Sequence, residues 1–271
     1  MTAAPLLEVE DLGISFRTDR GAIAVVSGVS FTVAAGARLG VVGESGAGKS
    51  TLGRAVLGLL PDTATVTARR FAFGGENLQA MTARRRHDLR GQRMSLILQD
   101  PKHALNPVMT VGAQIAEVLR QHDELSAAQC RDRGIALLSS VRIADPERVW
   151  AAHAHTLSGG LAQRAMIAMM LAPGPDLLIA DEATSALDVM ARESVLAVLD
   201  EQQRARGMAV IVISHDLGLV ARFCDSVLVM RDGRVVESVA AESLRRGEAA
   251  EPYTRHLLAL ARAVDFELGG S

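Results

Sequence analysis

The sequence predicts an α/β fold with a mostly parallel sheet. Short apolar runs of strand length, Arg38 to Val42, Leu177 to Ala180 and Val210 to Ile213, are separated by stretches with helical periodicity. The first run leads straight into Gly43-Glu44-Ser45-Gly46-Ala47-Gly48-Lys49-Ser50. This is a complete phosphate-binding loop, a motif that needs a strand before it and a helix after it.

The other elements follow in order. Leu7, Val9 and Leu12 begin a half-buried strand, and Phe31 and Val33 alternate in another. From Ser50 to Leu60 the pattern is helical and stops at Pro61-Asp62. Residues 62–93 are polar and basic, with Arg84-Arg85-Arg86, and read as a solvated loop or helix face rather than a binding patch. Met94 to Leu98 is another short strand, ending at Gln99. Ile115, Val118 and Leu119 share one helix face, as do Ile135 and Leu138, so 103–168 reads as a mostly helical insertion. A helix near 190–205 separates two of the apolar strands. Val227 to Met230 and Val235-Val236, joined by Arg231-Asp232-Gly233-Arg234, read as a hairpin. From 241 the chain is helical, up to Gly269-Gly270-Ser271.

The totals exclude several classes. A chain of 271 residues, 49% apolar, can bury a sizeable core in one or two domains and is not disordered. A net charge of -2 and 3% aromatic residues argue against a nucleic-acid partner. Cys130 and Cys224 stand far apart without a CxxC pair, which fits a reducing cytosol and no disulfide framework or zinc site. The start of the chain carries Glu8, Glu10 and Asp11 and no basic segment, unlike a signal peptide. No apolar run is long enough to span a bilayer, so a membrane role requires docking onto another chain.

The loop's residue types match its chemistry. Glycines let successive N–H groups turn inward toward phosphate oxygens, and the next helix adds its positive end. Lys49 reaches the β- and γ-phosphates, and the Ser50 hydroxyl can ligate Mg²⁺. Asp181 and Glu182 close an apolar strand, at the edge where open α/β sheets bind ligands. Asp181 is placed to hold Mg²⁺, and Glu182 to polarise the water that attacks the γ-phosphate.

Gln99, Leu157-Ser158-Gly159-Gly160, Ser185-Ala186-Leu187-Asp188 and His215 occur in order around those motifs. With them the chain resembles the nucleotide-binding subunit of an ABC transporter over residues 5–260. The resemblance implies a P-loop NTPase core (RecA-like, mostly parallel sheet) with an N-terminal antiparallel β subdomain. It also implies an α-helical subdomain inserted at about 103–168 of an ATPase domain covering 1–240, then a short helical tail at 241–271. It gives Phe16 the place under adenine and the loop from Gly43 through Thr51 the phosphates of ATP. Gln99 becomes the residue that senses Mg²⁺ and the membrane partner, and His215 the switch histidine at the γ-phosphate. Ser158, Gly159 and Gly160 face ATP held by an opposing subunit, and Asp188 belongs to the D-loop. Two positions depart from the commonest pattern: Leu161 stands where glutamine is usual, with Gln163 two residues on, and Ala183 replaces the proline after Glu182.

A narrower likeness is carried by Gln99-Asp100-Pro101, by Leu105-Asn106-Pro107-Val108-Met109-Thr110-Val111-Gly112 and by Pro252-Tyr253-Thr254-Arg255. These are similar to the oligopeptide/dipeptide/nickel importer ATPases. Many of those carry a C-terminal cysteine cluster for an iron–sulfur centre, which Cys130 and Cys224 cannot supply. That feature favours a metal or metal-chelate cargo over peptides. The resemblance further implies a second ATPase subunit, in a heterodimer, and two membrane permease subunits. A solute-binding protein would act indirectly, and the chain would sit on the cytoplasmic face of the inner membrane. The alternative is a soluble ABC ATPase acting on DNA or ribosomes. Such proteins carry long heptad insertions or two ATPase units, and here there is no heptad run and each motif occurs once. A P-loop kinase would leave Leu157 to Gly160 unexplained.

Overall fold

The computed structural model describes residues 4–99, 104–183 and 189–269. Along the chain run β1 (Leu7–Thr18), β2 (Gly21–Val33), β3 (Arg38–Val42), α1 (Lys49–Val56), β4 (Ala64–Thr67), β5 (Arg70–Phe73), β6 (Glu76–Asn77) and α2 (Ala83–Gln92). Next come β7 (Met94–Ile97), α3 (Val111–His122), α4 (Ala127–Ser140), α5 (Pro146–Ala151), α6 (Gly159–Leu171) and β8 (Leu177–Asp181). The remainder is α7 (Val189–Arg206), β9 (Ala209–Ser214), α8 (Leu217–Phe223), β10 (Ser226–Arg231), β11 (Arg234–Ala240), α9 (Ala241–Arg246) and α10 (Pro252–Gly269). The α/β class that the sequence predicts is the one observed. No helix among the described residues is long and apolar enough to cross a membrane.

The elements fall into two compact units, residues 1–86 with 209–271 and residues 87–208, the boundary lying inside α2. In the first unit β3 lies between β10 and β9 and runs parallel to both. Val41, Val42, Val210, Ile213, Val227 and Val229 are all buried, so these strands read as continuous apolar runs rather than alternating ones. At Gly40 a Cβ would lie 2.0 Å from Val220, so only hydrogen there lets α8 rest directly on β3. The β10–β11 hairpin is antiparallel, as its sequence suggests.

An antiparallel sheet, β2-β1-β5-β6 with β4 also paired to β1, completes this unit. Here the sequence reading of 62–93 needs amendment. Residues 64–73 hold two strands rather than a solvated loop, because Phe71 and Phe73 are buried opposite Val9 and Leu7. The charges that mask this alternation belong to its outer side. Arg70 makes a two-pronged bond to Glu8, with Nη2 at 2.8 Å, and Arg69 lies 3.0 Å from Glu10. The Arg70 bond holds the Glu8 carboxyl below its ordinary pKa. The run Arg84 to Arg86 is helical, with Arg85 paired to Glu76 at 2.7 Å.

In the second unit β7 and β8 pair in parallel, with Met94 opposite Leu177 and Ile97 opposite Ala180. Side chains start each of three helices: Thr110 accepts from Ala113 N, Ser126 and Gln129 form a reciprocal box, and Asp145 accepts from Arg148 N ahead of Pro146. Helix α6 buries Ala165 to Met169 and Leu171, which is why it shows no polar stripe. The half-buried Trp150 ring lies against two glycines, one on each of two helices. A Cβ on Gly112 of α3 would stand 2.3 Å from its ring, and one on Gly134 of α4 would stand 1.9 Å away.

Gly134→Ala therefore tests that packing. Alanine gains about 1 kcal/mol of helix propensity, but crowding the Trp150 ring against the buried Gly134 costs about 1–3 kcal/mol. We expect a lower urea midpoint and a shifted emission from Trp150, the only tryptophan of the chain. A variant as stable as the wild type would show that the ring does not stand over Gly134.

Candidate functional site

The loop from Gly43 to Ser50 begins where β3 ends and passes into α1. Gly43 has φ 152°, and a Cβ there would lie 2.1 Å from the Met230 carbonyl oxygen. Gly48, just before α1, has φ 93° and sits against Val25 O, at 3.0 Å from where a Cβ would be. Both positions combine a left-handed backbone with contact against another backbone, so no residue with a side chain fits them. Lys49 is 7% exposed, and its Nζ donates to Gly43 O at 2.8 Å and Glu44 O at 2.9 Å. The loop is thus folded around its own ammonium group. No acidic residue stands in the first turn of α1. A helix N-terminus, inward-turned glycine backbone and an enclosed cation together fit a polyphosphate.

The parallel register brings other groups to the same edge. Val42 is opposite Ser214 in β9 and Val229 in β10. His215, exposed, therefore leaves β9 level with Gly43, followed by Asp216, which caps α8 by accepting from Leu219 N at 2.9 Å. Phe16 lies in the antiparallel sheet, half-buried, opposite Ile23 of β2 and Ala64 of β4. Ile23 is 56% exposed, so Phe16 and Ile23 form an apolar pair open to solvent.

In the second unit Asp181 ends β8 and is 7% exposed. Glu182 follows with φ 51°, a left-handed conformation that a non-glycine residue adopts at a cost of about 1–2 kcal/mol. Gln163 of α6, 1% exposed, braces this turn by donating its Nε2 to Ala183 O at 2.6 Å. The displaced glutamine noticed in the sequence thus has a definite partner, one that no local pattern could reveal. Gln99, exposed, follows β7 at the same strand edge as Asp181. Ser158 precedes α6, exposed, and its side chain caps no amide of the helix. Cβ atoms on Gly159 or Gly160 would meet nothing within 4 Å. Asp188, the preceding Ser185 to Leu187, and Asp100-Pro101 lie outside the described residues.

Oxygen donors suit Mg²⁺, which takes one or two protein ligands and the rest from phosphate and water; the first unit offers the Ser50 hydroxyl and, separately, the second unit offers the Asp181 carboxylate. Among the described residues no three or more His, Cys, Asp or Glu side chains gather as a metal cage, and such an ion needs none. Both cysteines are free and buried, and burial pushes the Cys224 thiol well above its ordinary pKa.

One contact escaped sequence reasoning, which noticed Tyr253 only as part of a motif. The Glu44 N–H donates to the Tyr253 hydroxyl at 3.2 Å. Partial burial raises that phenol above its ordinary pKa, which keeps it neutral.

The sequence model of the family described as ABC transporter matches residues 26–185. A "Probable peptide ABC transporter ATP-binding protein" of Sinorhizobium fredii is 44% identical over 93% of this chain and 76% of its own length. The oligopeptide transport ATP-binding protein OppD of Mycobacterium tuberculosis is 43% identical over 98% of this chain and 43% of its own length. Among solved structures, CbiO1 from Clostridium perfringens, part of an ABC transporter complex, is 26% identical with TM-score 0.76, covering 94% of this chain and 99% of that one. A dimeric ATP-binding cassette in a post-hydrolysis state with ADP and Pi shares the fold, at 23% identity and TM-score 0.77, covering 87% of this chain and 98% of that one.

Lys49→Ala removes one buried and one part-buried hydrogen bond and the only basic side chain between Gly43 and Ser50. A charge-assisted bond is worth about 1.5–3 kcal/mol, so ATP affinity should fall roughly 10- to 100-fold and hydrolysis should disappear. Calorimetric titration with ATP and a phosphate-release assay read the two effects, and near-normal turnover would refute the assignment.

Proposed function

Since the chain belongs to the ABC transporter family, as an ABC ATPase domain, we propose that it binds and hydrolyses ATP to power an importer. What carries this reading is the loop at the end of β3, closed around Lys49 by carbonyl bonds of 2.8 and 2.9 Å. The names of the relatives, peptide and oligopeptide transport, weigh toward a peptide cargo rather than a metal chelate. They also favour transport over work on DNA or ribosomes. Two membrane permeases and a second ATPase subunit complete the machine on the cytoplasmic face of the membrane. A heterodimer remains our reading of that pair.

In the proposed mechanism, Phe16 and Ile23 offer adenine an apolar platform, and the amides from Ser45 to Thr51 take the phosphates with Lys49. Ser50 of the first unit and Asp181 and Gln99 of the second are the residues that would hold Mg²⁺, and the ion when bound would neutralise phosphate charge. Glu182 accepts the proton of the attacking water as the water oxygen bonds to the γ-phosphorus and the bond to the β,γ-bridging oxygen breaks. His215 steadies the γ-phosphate. Ser158, Gly159, Gly160 and Asp188 serve the nucleotide of the opposing subunit. The Ser158 side chain, which caps no helix amide, and the space over both glycines among the described residues support this.

Glu182→Gln keeps shape and hydrogen-bonding capacity but cannot take the proton. Turnover should drop roughly 10²- to 10⁴-fold, the range for losing a general base, while ATP binding persists. With its partner and ATP–Mg²⁺ the variant should elute as a stable dimer in size-exclusion chromatography. Wild-type turnover would exclude Glu182 as the base.

Ser158→Arg should leave ATP affinity of the isolated chain within about twofold, since an exposed surface change alters little locally. It should block the ATP-bound dimer. Loss of affinity in the monomer itself would contradict service to an opposing subunit.

A further inference from the structure

We propose that Tyr253 is a positioning residue for the phosphate loop, through which the seating of α10 sets nucleotide affinity. The proposal rests on the nucleotide reading of that loop given above.

One planar peptide group joins the two contacts involved. Its carbonyl, on Gly43, accepts Lys49 Nζ at 2.8 Å, and its N–H, on Glu44, donates to the Tyr253 hydroxyl at 3.2 Å. Because a peptide unit is rigid, fixing the N–H direction fixes where the carbonyl holds the lysine. The next carbonyl, Glu44 O, accepts both Lys49 Nζ at 2.9 Å and Ala47 N at 3.2 Å. Tyr253 therefore grips the loop at the peptide that leads into both lysine contacts.

Tyr253 is itself well anchored. The Arg231 guanidinium lies 5.0 Å over its ring, and Arg231 follows Met230, whose carbonyl bounds Gly43. The Glu237 carboxylate of β11 accepts Ala250 N at 2.8 Å and Glu251 N at 3.2 Å, which ties down the chain just before α10. Thr254 is fully buried and Leu258 nearly so. The start of α10 is thus held by β10 and β11, and its tyrosine is the group that reaches the loop. Any ligand or chain that lifts this segment would release the Gly43–Glu44 peptide.

Tyr253→Phe keeps the ring and its cation contact and removes only the hydroxyl. ATP and ADP should each bind about 2- to 10-fold more weakly, the range for one neutral hydrogen bond. In turnover with the partner present the change should fall on KM rather than on kcat. Hydrogen–deuterium exchange should accelerate at the amides of 44–49 and stay unchanged in β3, β9 and β10. Equal affinity and equal loop protection in the variant would overturn the proposal. So would faster exchange throughout the first unit with a lowered Tm, which would mark the hydroxyl as a general structural contact. If the wild-type protein bound no ATP, the nucleotide reading would fall and this proposal with it. If the wild type bound ATP and the variant bound it equally, this proposal alone would fall.

Discussion

The carbonyl oxygens of Met230 and Val25 press against the backbone at the base of the phosphate loop, and the architecture of the first unit follows from that crowding. A methyl group at Gly43 would be 2.1 Å from Met230 O, and one at Gly233 would be 2.3 Å from Val25 O. Gly48 faces the same Val25 carbonyl. Three glycines, two in the loop and one in the β10–β11 turn, thus let β2, that turn and the loop meet at backbone contact distance. The meeting fixes the loop's height above the sheet, because β10 and β3 are in parallel register and cannot slide without moving every paired residue. Lys49 is then enclosed by the loop's own carbonyls instead of extending into solvent.

That constraint explains what was legible in the sequence. A loop that tolerates only glycine at set positions must show those glycines, so Gly43 to Ser50 is unmistakable. Parallel strands covered on both faces must be apolar without interruption, so β3, β8 and β9 stand out, and Asp181 and Glu182 are conspicuous because they end such a run. Gln99 and His215 are ordinary residues in isolation and gain meaning only from their order among the motifs. The structure adds that each follows a parallel strand at its carboxyl edge. Strands β4 and β5 were not legible, because each is only four residues long and Arg69 and Arg70, paired to β1 carboxylates, stand at their junction. Tyr253 and Gln163 were noticed for the motifs around them, but not for what they touch. Tyr253 meets a loop 209 residues away and Gln163 a carbonyl 20 residues away, and periodicity carries no information about such contacts.

Helix α6 joins two roles that the sequence motif presents as one. At its start Ser158 and Gly159 are exposed, and Cβ atoms on Gly159 and Gly160 would meet nothing among the described residues. One turn later it is among the most buried helices, from Ala165 to Met169. Solvent exposure at the start and full burial beyond it make a rigid mount for Ser158. A loop would let the serine and its two glycines wander, whereas here their direction is set by a helix that cannot rotate without exposing Met166 and Ile167.

The same helix governs the turn that carries Glu182. A left-handed Glu182 costs about 1–2 kcal/mol, and a single neutral hydrogen bond returns about 0.5–1.5 kcal/mol. The bond from Gln163 to Ala183 O is therefore of the right size to offset most of that strain, with the buried end of β8 supplying the rest. Proline at 183 would lock its own φ and leave a braced carbonyl less necessary. With alanine there, the restraint falls to Gln163. Gln163 and Ala183 thus form one local arrangement, in which α6 holds in place the carboxylate-bearing turn. Moving α6 by the length of a hydrogen bond would break that brace, so the outward face of Ser158 and the conformation of Glu182 are mechanically linked within the second unit.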